Sequence, residues 1–299
     1  MKFNLIFTFC FITSMIWLFN LMGIPFINAL SNPPRHLNRE WSLPPVKQGD
    51  WSETLRSFDV EEGEEAKSVA VLMYHRILAD EDIETWHYDE NGQLYDTIVH
   101  RQAFEEQIDY LAEQGYVTLN LKEFEQFING ALDVPEKSVL ITFDDGFKDN
   151  YTVAYPILKR HDFFATIFLI TGKVVSEDAL YLSEEDIIAG ADVFEYQSHT
   201  DRLHERTEAD IPYLLTHDHR EVESDVLISV NKLGGRKRAF AYPYGEYDQA
   251  NLTVLNNVGV DLAFTVEYKK ADQEVNRLEI PRIGVYPDDT IEEFILKLK

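Results

Sequence analysis

Two carboxylates stand side by side at the end of an apolar run, where Val139-Leu140-Ile141-Thr142-Phe143 leads into Asp144-Asp145-Gly146. Neighbours in a regular strand point to opposite faces, so both acids can serve one site only where the strand breaks; Gly146 supplies that freedom. Brought together they repel, unless a cation neutralises one and the other acts as a base. Asp-Asp-Gly is also ordinary turn chemistry, so the triplet alone leaves a structural reading open. A second group follows the run Val193–Tyr196, where His199 and His204 are five apart in Ser198-His199-Thr200-Asp201-Arg202-Leu203-His204. That spacing does not align them on a helix face, but a loop can converge both imidazoles on one ion. One carboxylate with two histidines leaves positions open for water and substrate, the arrangement of catalytic zinc or a related divalent ion. Solvent-exposed loop histidines are the bland alternative. His217 and His219, two apart beside a helical pattern, diverge and read as surface residues.

Two further groups carry weaker signals. Phe240-Ala241-Tyr242-Pro243-Tyr244-Gly245 ends another apolar run. An X-Pro-aromatic-Gly turn can aim a backbone N–H at a developing oxyanion, though a plain strand-ending turn has the same composition. Tyr74-His75-Arg76 closes the first run and sets a histidine on the same expected rim.

These residues need a scaffold, and the pattern supplies one. Val69–Tyr74, Ser138–Phe143, Ala165–Ile170, Val193–Tyr196, Ala239–Tyr242 and Leu262–Val266 read as short buried strands. Between them, Phe104, Ile108 and Leu111 follow a helical period with Gly115 as the stop. Asn120 with Glu123, and Ser183 with Asp186, form capping-box patterns that open two more helices. Val222, Val226, Val230 and Leu233 make one stripe ending at Gly234-Gly235. The alternation predicts an α/β fold, a mainly parallel sheet with helices outside it, open or closed into a barrel. In either form chemistry sits at the C-terminal ends of strands, where all four groups fall.

Composition narrows the setting. The 299-residue chain is 45% hydrophobic and 13% aromatic, enough for a sizeable core. Its formal charge of −26 excludes nucleic acid and anionic lipid headgroups as natural partners. Acidity of this kind serves solubility, and it also suits a polymer that gains cationic amines. From Phe3 to Leu30 the chain is apolar and uncharged after Lys2, with a Pro25 break and small Ala29. Residues 1–29 therefore read as a secretory signal cleaved near Ala29, or as an uncleaved membrane anchor, since the span is long enough for either. The only cysteine, Cys10, lies inside it, so the exported part has no disulfide, thiolate nucleophile or cysteine metal site. Export without disulfides fits a bacterial secreted or cell-surface protein. Residues 30–67, with two Pro-Pro pairs and the run Glu61-Glu62-Gly63-Glu64-Glu65, read as a linker or loosely packed arm. Residues 68–299 form the catalytic domain.

The four groups, taken in order, resemble the polysaccharide deacetylases of the NodB-homology type, carbohydrate esterase family four, over about residues 68–295. The resemblance is closer to the branch acting on poly-β-1,6-N-acetylglucosamine, the biofilm polymer, through Met73–His75, the five-residue spacing His199–His204, Ala241–Gly245 and Ile280–Ile283. It implies a distorted (β/α)₇ barrel resembling a TIM barrel. It implies Asp145, His199 and His204 as ligands of a divalent metal, zinc first, with nickel, cobalt or iron as alternatives. It further implies Asp144 as general base, His75 as general acid and the Tyr244 N–H, set by Pro243, as oxyanion donor. Two departures from the wider family stand out. Ala241 occupies the place where an arginine often orients the base, which leaves Arg282 as the candidate, and the catalytic histidine is supplied early rather than late. Trp86 and Tyr88, in the polar loop after His75, are candidates to stack on sugar rings or simply to pack that loop.

Other chemistries share parts of this set. A non-haem iron oxygenase uses two histidines and a carboxylate but has no role for the second aspartate. A glycosidase needs carboxylates about 5 Å or more apart and no metal. Peptidoglycan and chitin oligomers are alternative substrates, and a catalytically silent polysaccharide-binding protein is the alternative outside enzymes.

Overall fold

The computed structural model describes residues 50–174 and 178–299. The expectations for the export segment, including Cys10, lie outside the described residues, among which no helix is long and apolar enough to cross a membrane.

Six parallel strands make the body of a nine-stranded curled sheet, in chain order: β1 (Ser68–Tyr74), β2 (Ser138–Phe143), β3 (Ala165–Leu169), β4 (Phe194–Ser198), β5 (Ala239–Ala241) and β6 (Leu262–Phe264). Their near-continuous apolar runs are buried on both faces, as a helix-covered parallel sheet requires. The curl is completed by a discontinuous last stave. Ile280 bridges Phe264 of β6, and three residues later β7 (Ile283–Gly284) pairs with Leu72 and Met73 of β1. Seven staves thus enclose the interior, in agreement with the expected barrel.

Register decides what points inward. Leu140 shares an interior cluster with Val69, Val71, Phe168 and Phe264, and period two places Thr142 and Asp144 on the same face. The opposite face of β2 meets the helix α1 (Arg101–Glu113), where Phe143 packs edge-on against Phe104. The helix α2 (Leu121–Ile128) starts at the Asn120–Glu123 capping box and packs Phe124 against Phe264. The helix α3 (Glu184–Ala189) starts at the Ser183–Asp186 box. Val222, Val226 and Val230 bury the stripe of α4 (His219–Lys232) against a cluster that includes Phe240 of β5.

β4 extends two residues beyond the expected Tyr196. Gln197 and Ser198 are polar yet almost fully buried, so apolar patterning ends before the strand does.

The acidic arm is packed more tightly than its composition predicts. Trp51 stacks on Phe164 at 4.2 Å and donates Nε1–H to the Ala191 carbonyl. Arg56 grips Glu123 through Nε and Nη2 at 2.7 and 2.6 Å, and Asn120 donates to the carbonyls of Trp51 and Thr54. Arg238 reaches the Ser52 carbonyl and the Glu53 carboxylate. Phe164, Ala191 and Arg238 all lie just before strands, so from Trp51 to Arg56 the arm is fastened across the barrel floor. Buried polar partners, invisible in linker composition, account for the difference.

Candidate active site

β2 ends at Phe143, and the chain then breaks as Gly146 requires. Asp145 and Gly146 take φ of 72° and 79°. An alanine Cβ at Gly146 would lie 2.4 Å from Leu169 Cδ2, so the turn has no room for a side chain. This break turns both acids to the mouth of the barrel.

Asp144 is buried and faces Arg282, which is fully buried. The guanidinium donates Nη1 to Oδ1 at 2.7 Å and Nη2 to Oδ2 at 2.8 Å, while its Nε–H goes to the Thr265 carbonyl at 2.8 Å. Burial alone would raise the Asp144 carboxyl. The charges of Arg282 and His199 and the paired hydrogen bonds from Arg282 outweigh it, holding the group far below the usual carboxylate range. Asp144 Oδ2 also lies 4.0 Å from both His75 Nε2 and His199 Nε2.

Asp145, His199 and His204 converge on one point. His199 Nε2 and His204 Nε2 are 3.1 Å apart, and Asp145 Oδ1 lies 3.6 and 3.2 Å from them. A tetrahedral ion with bonds of about 2.0–2.1 Å separates its ligands by roughly 3.3 Å, so these three donors match the edges of such a site. Two further features fit. Asp145 Oδ1 is buried without a hydrogen-bond partner. His199 Nδ1 is 2.8 Å from the Ala241 carbonyl, which fixes the proton there and frees Nε2 as a lone-pair donor. Burial and the neighbouring His204 push the His199 imidazole down to about 4, against the opposite pull of Asp144 and Asp145, so it is neutral at physiological pH. The donor set suits a divalent cation.

The loop from Ser198 to His204 is held from behind. Asp225 on α4 accepts the N–H groups of Asp201 and Arg202 at 2.8 Å each, and Asp201 takes Thr171 Oγ1 and Lys232 Nζ. The turn Pro243–Gly245 follows β5, with buried Pro243 at its start and Tyr244 at φ 59°. Gly245 N–H closes the turn onto the Tyr242 carbonyl. Tyr244 leans on His204, ring centroids 4.7 Å apart, and donates its hydroxyl to the His204 carbonyl.

These groups line a cavity of about 300 Å³ that includes His75, Asp144, Asp145, His199, His204 and Tyr244. Of the two readings open for Trp86 and Tyr88, stacking on sugar or packing their loop, the cavity itself favours neither: both are exposed and lie outside its lining. Trp86 is held by Glu84 and packs on His87 and Arg76, and Tyr88 bridges to Leu94. The aromatic walls are Tyr244 and Tyr286, both part-exposed. Tyr286 was missed because it stands outside any apolar run. The rule that chemistry lies just beyond strand ends finds it once β7 is recognised. His217 bonds to the Tyr213 carbonyl and takes no part in the cluster.

Residues 131–263 match the family model described as polysaccharide deacetylase. A poly-beta-1,6-N-acetyl-D-glucosamine N-deacetylase of Staphylococcus aureus is 29% identical over 239 residues, covering 76% of this chain and 82% of that protein. Among solved structures, the deacetylase PplD of Streptococcus pyogenes in complex with acetate aligns with a TM-score of 0.67 and 26% identity, over 78% of this chain and 98% of that one. IcaB of Ammonifex degensii aligns with a TM-score of 0.64 and 27% identity, over 79% and 99%.

Proposed function

We propose that this chain, whose residues 131–263 match the polysaccharide deacetylase family model, is a divalent-metal-dependent N-deacetylase that removes acetyl groups from N-acetylglucosamine units of a bacterial surface polymer. Its substrate on this reading is poly-β-1,6-N-acetylglucosamine of the biofilm matrix, a choice supported by the relatives named for that activity. The observation that carries the reading is the convergence of Asp145, His199 and His204 beside a second, separately paired carboxylate.

Asp145, His199 and His204 hold the metal, zinc by preference for this donor set. When bound, the ion acidifies water and polarises the acetamide carbonyl. Asp144 accepts the proton of the attacking water. Asp144 is held well below the usual carboxylate range, so it is ionised and able to take that proton. Arg282 keeps both Asp144 oxygens oriented and charged. The Tyr244 N–H, presented by the positive-φ turn after Pro243, is the donor for the oxyanion, a contribution of about 3 kcal/mol in comparable sites. His75 gives a proton to the departing amine, so one water and one acetamide yield acetate and a glucosamine unit. Tyr286 and Tyr244 offer aromatic faces to the sugar. The apolar N-terminal run supports a secreted or membrane-attached location.

The deciding experiment measures acetate release from β-1,6- and β-1,4-linked N-acetylglucosamine oligomers, with metal-stripped protein, zinc-reloaded protein and Asp144→Asn. Zinc-dependent release from the β-1,6 oligomer, reduced at least a thousandfold by the substitution, is expected. Preference for the β-1,4 oligomer would redirect the substrate to chitin- or peptidoglycan-like chains. Binding of oligomers without any release would overturn the enzymatic reading.

A further inference from the structure

His75 is the single residue between β1 and a short strand, Arg76–Leu78, that pairs with Ile98–His100. A further hold comes from a single π-helical turn, Asn150–Ala154, which begins a few residues after the Asp144-Asp145-Gly146 break. Asn150 is fully buried and donates Nδ2–H to the His75 carbonyl at 2.7 Å. Its neighbour Asp149 takes the next two residues: Oδ2 accepts from Arg76 Nε at 3.0 Å and Oδ1 from the Ile77 N–H at 2.8 Å. Three consecutive residues, His75 to Ile77, are thus bound by two consecutive residues of the segment that follows the Asp144 break.

The orientation of the Asn150 amide is set by chemistry, since a carbonyl can only accept. That leaves Asn150 Oδ1 buried without a partner. A residue needed only to fill space would do better without the stranded oxygen. Local π-turns also cluster at functional sites, where they widen a helix to aim one side chain. The Arg76 guanidinium completes the latch by stacking over Phe147, at 5.0 Å from the ring centroid, and reaching His87 Nε2 at 2.9 Å.

We infer that Asn150, with Asp149 and Arg76, is a positioning residue that locks the His75 loop to the Asp144 loop and so sets the 4.0 Å separation between His75 and Asp144. This rests on the deacetylase reading above, with His75 as proton donor to the amine. Asn150 touches neither the metal ligands nor the cavity, so its effect passes through His75 alone.

A double-mutant cycle tests it. Asn150→Ala in the full chain should lower kcat for acetate release about 10- to 100-fold, with KM within about twofold and zinc content unchanged. Introduced beside His75→Gln, the same substitution should cost less than about threefold, because its target is already gone. If the alanine variant does not fold, Asn150→Asp at pH 8 keeps the volume, removes the donor and is read in the same way. Equal losses in both backgrounds, or no loss in either, would overturn the inference while leaving the deacetylase reading intact. A wild-type chain that releases no acetate would instead remove the reading on which it rests.

Discussion

The Arg282–Asp144 pair makes the sharpest demand on single residues, because both groups are buried and each places its charge against the other. Arg282→Met leaves an uncompensated buried carboxylate, an arrangement that typically costs about 3–5 kcal/mol. Denaturant unfolding at pH 7 should register that loss. A carboxylate depressed on folding contributes stability that is complete above its unfolded pKa, near ~3.9, and is lost as pH falls through the folded value. The wild-type contribution therefore persists well into acid, whereas in Arg282→Met burial dominates and the carboxyl rises. The acid limb of kcat/KM should then move upward in pH, and an unmoved limb would exclude Arg282 as the group that keeps Asp144 charged. His204→Ala should weaken zinc binding at least about 100-fold by competition with a chelator, beyond what outer partners of ligands usually contribute. His217→Ala should leave it unchanged. At this scale the sequence was most informative where chemistry is unusual. Adjacent acids before a glycine, and two histidines in one loop, have few structural reasons to exist. Arg282 could be named only as a candidate, because nothing in a sequence reveals that an arginine lies inside a barrel. Asn150 carried no signal, since its worth depends on a carbonyl 75 residues away.

At the scale of elements, the loops after strands must be stiff, and glycine is used where side chains would not fit. Gly245 takes φ of 70°, and an added Cβ would meet Val266 atoms at 2.3, 2.7 and 2.9 Å. Gly245→Ala should destabilise the fold by about 1–3 kcal/mol and depress kcat more than KM by shifting Tyr244, as thermal melts and steady-state kinetics would show. The six strands of the sheet's body were legible because parallel strands covered by helices are largely apolar, and two helix starts were legible from their capping boxes. The last stave was not. β7 has only two paired residues, too few for any period, and its place is dictated by closure of the ring rather than by local preference. Missing it also hid Tyr286, while the direction in which Trp86 and Tyr88 face could not be read from a polar loop.

Over the whole molecule, the arm from Trp51 to Arg56 is the part that composition misjudged. Composition over residues 30–67 has the makeup of a linker, yet the described stretch from Trp51 to Arg56 is held by a few specific partners. Trp51→Ala should lower unfolding free energy by about 1–3 kcal/mol, with kcat of the folded protein unchanged. A matching fall in kcat would mean that the arm also shapes the mouth.

That fastening has a mechanical consequence. The arm crosses the end of the barrel where strands begin, and the candidate cavity opens where they end. Force applied at Trp51 is therefore borne by Phe164, Glu123 and Arg238, and bypasses the loops that carry His75, His199 and Tyr244.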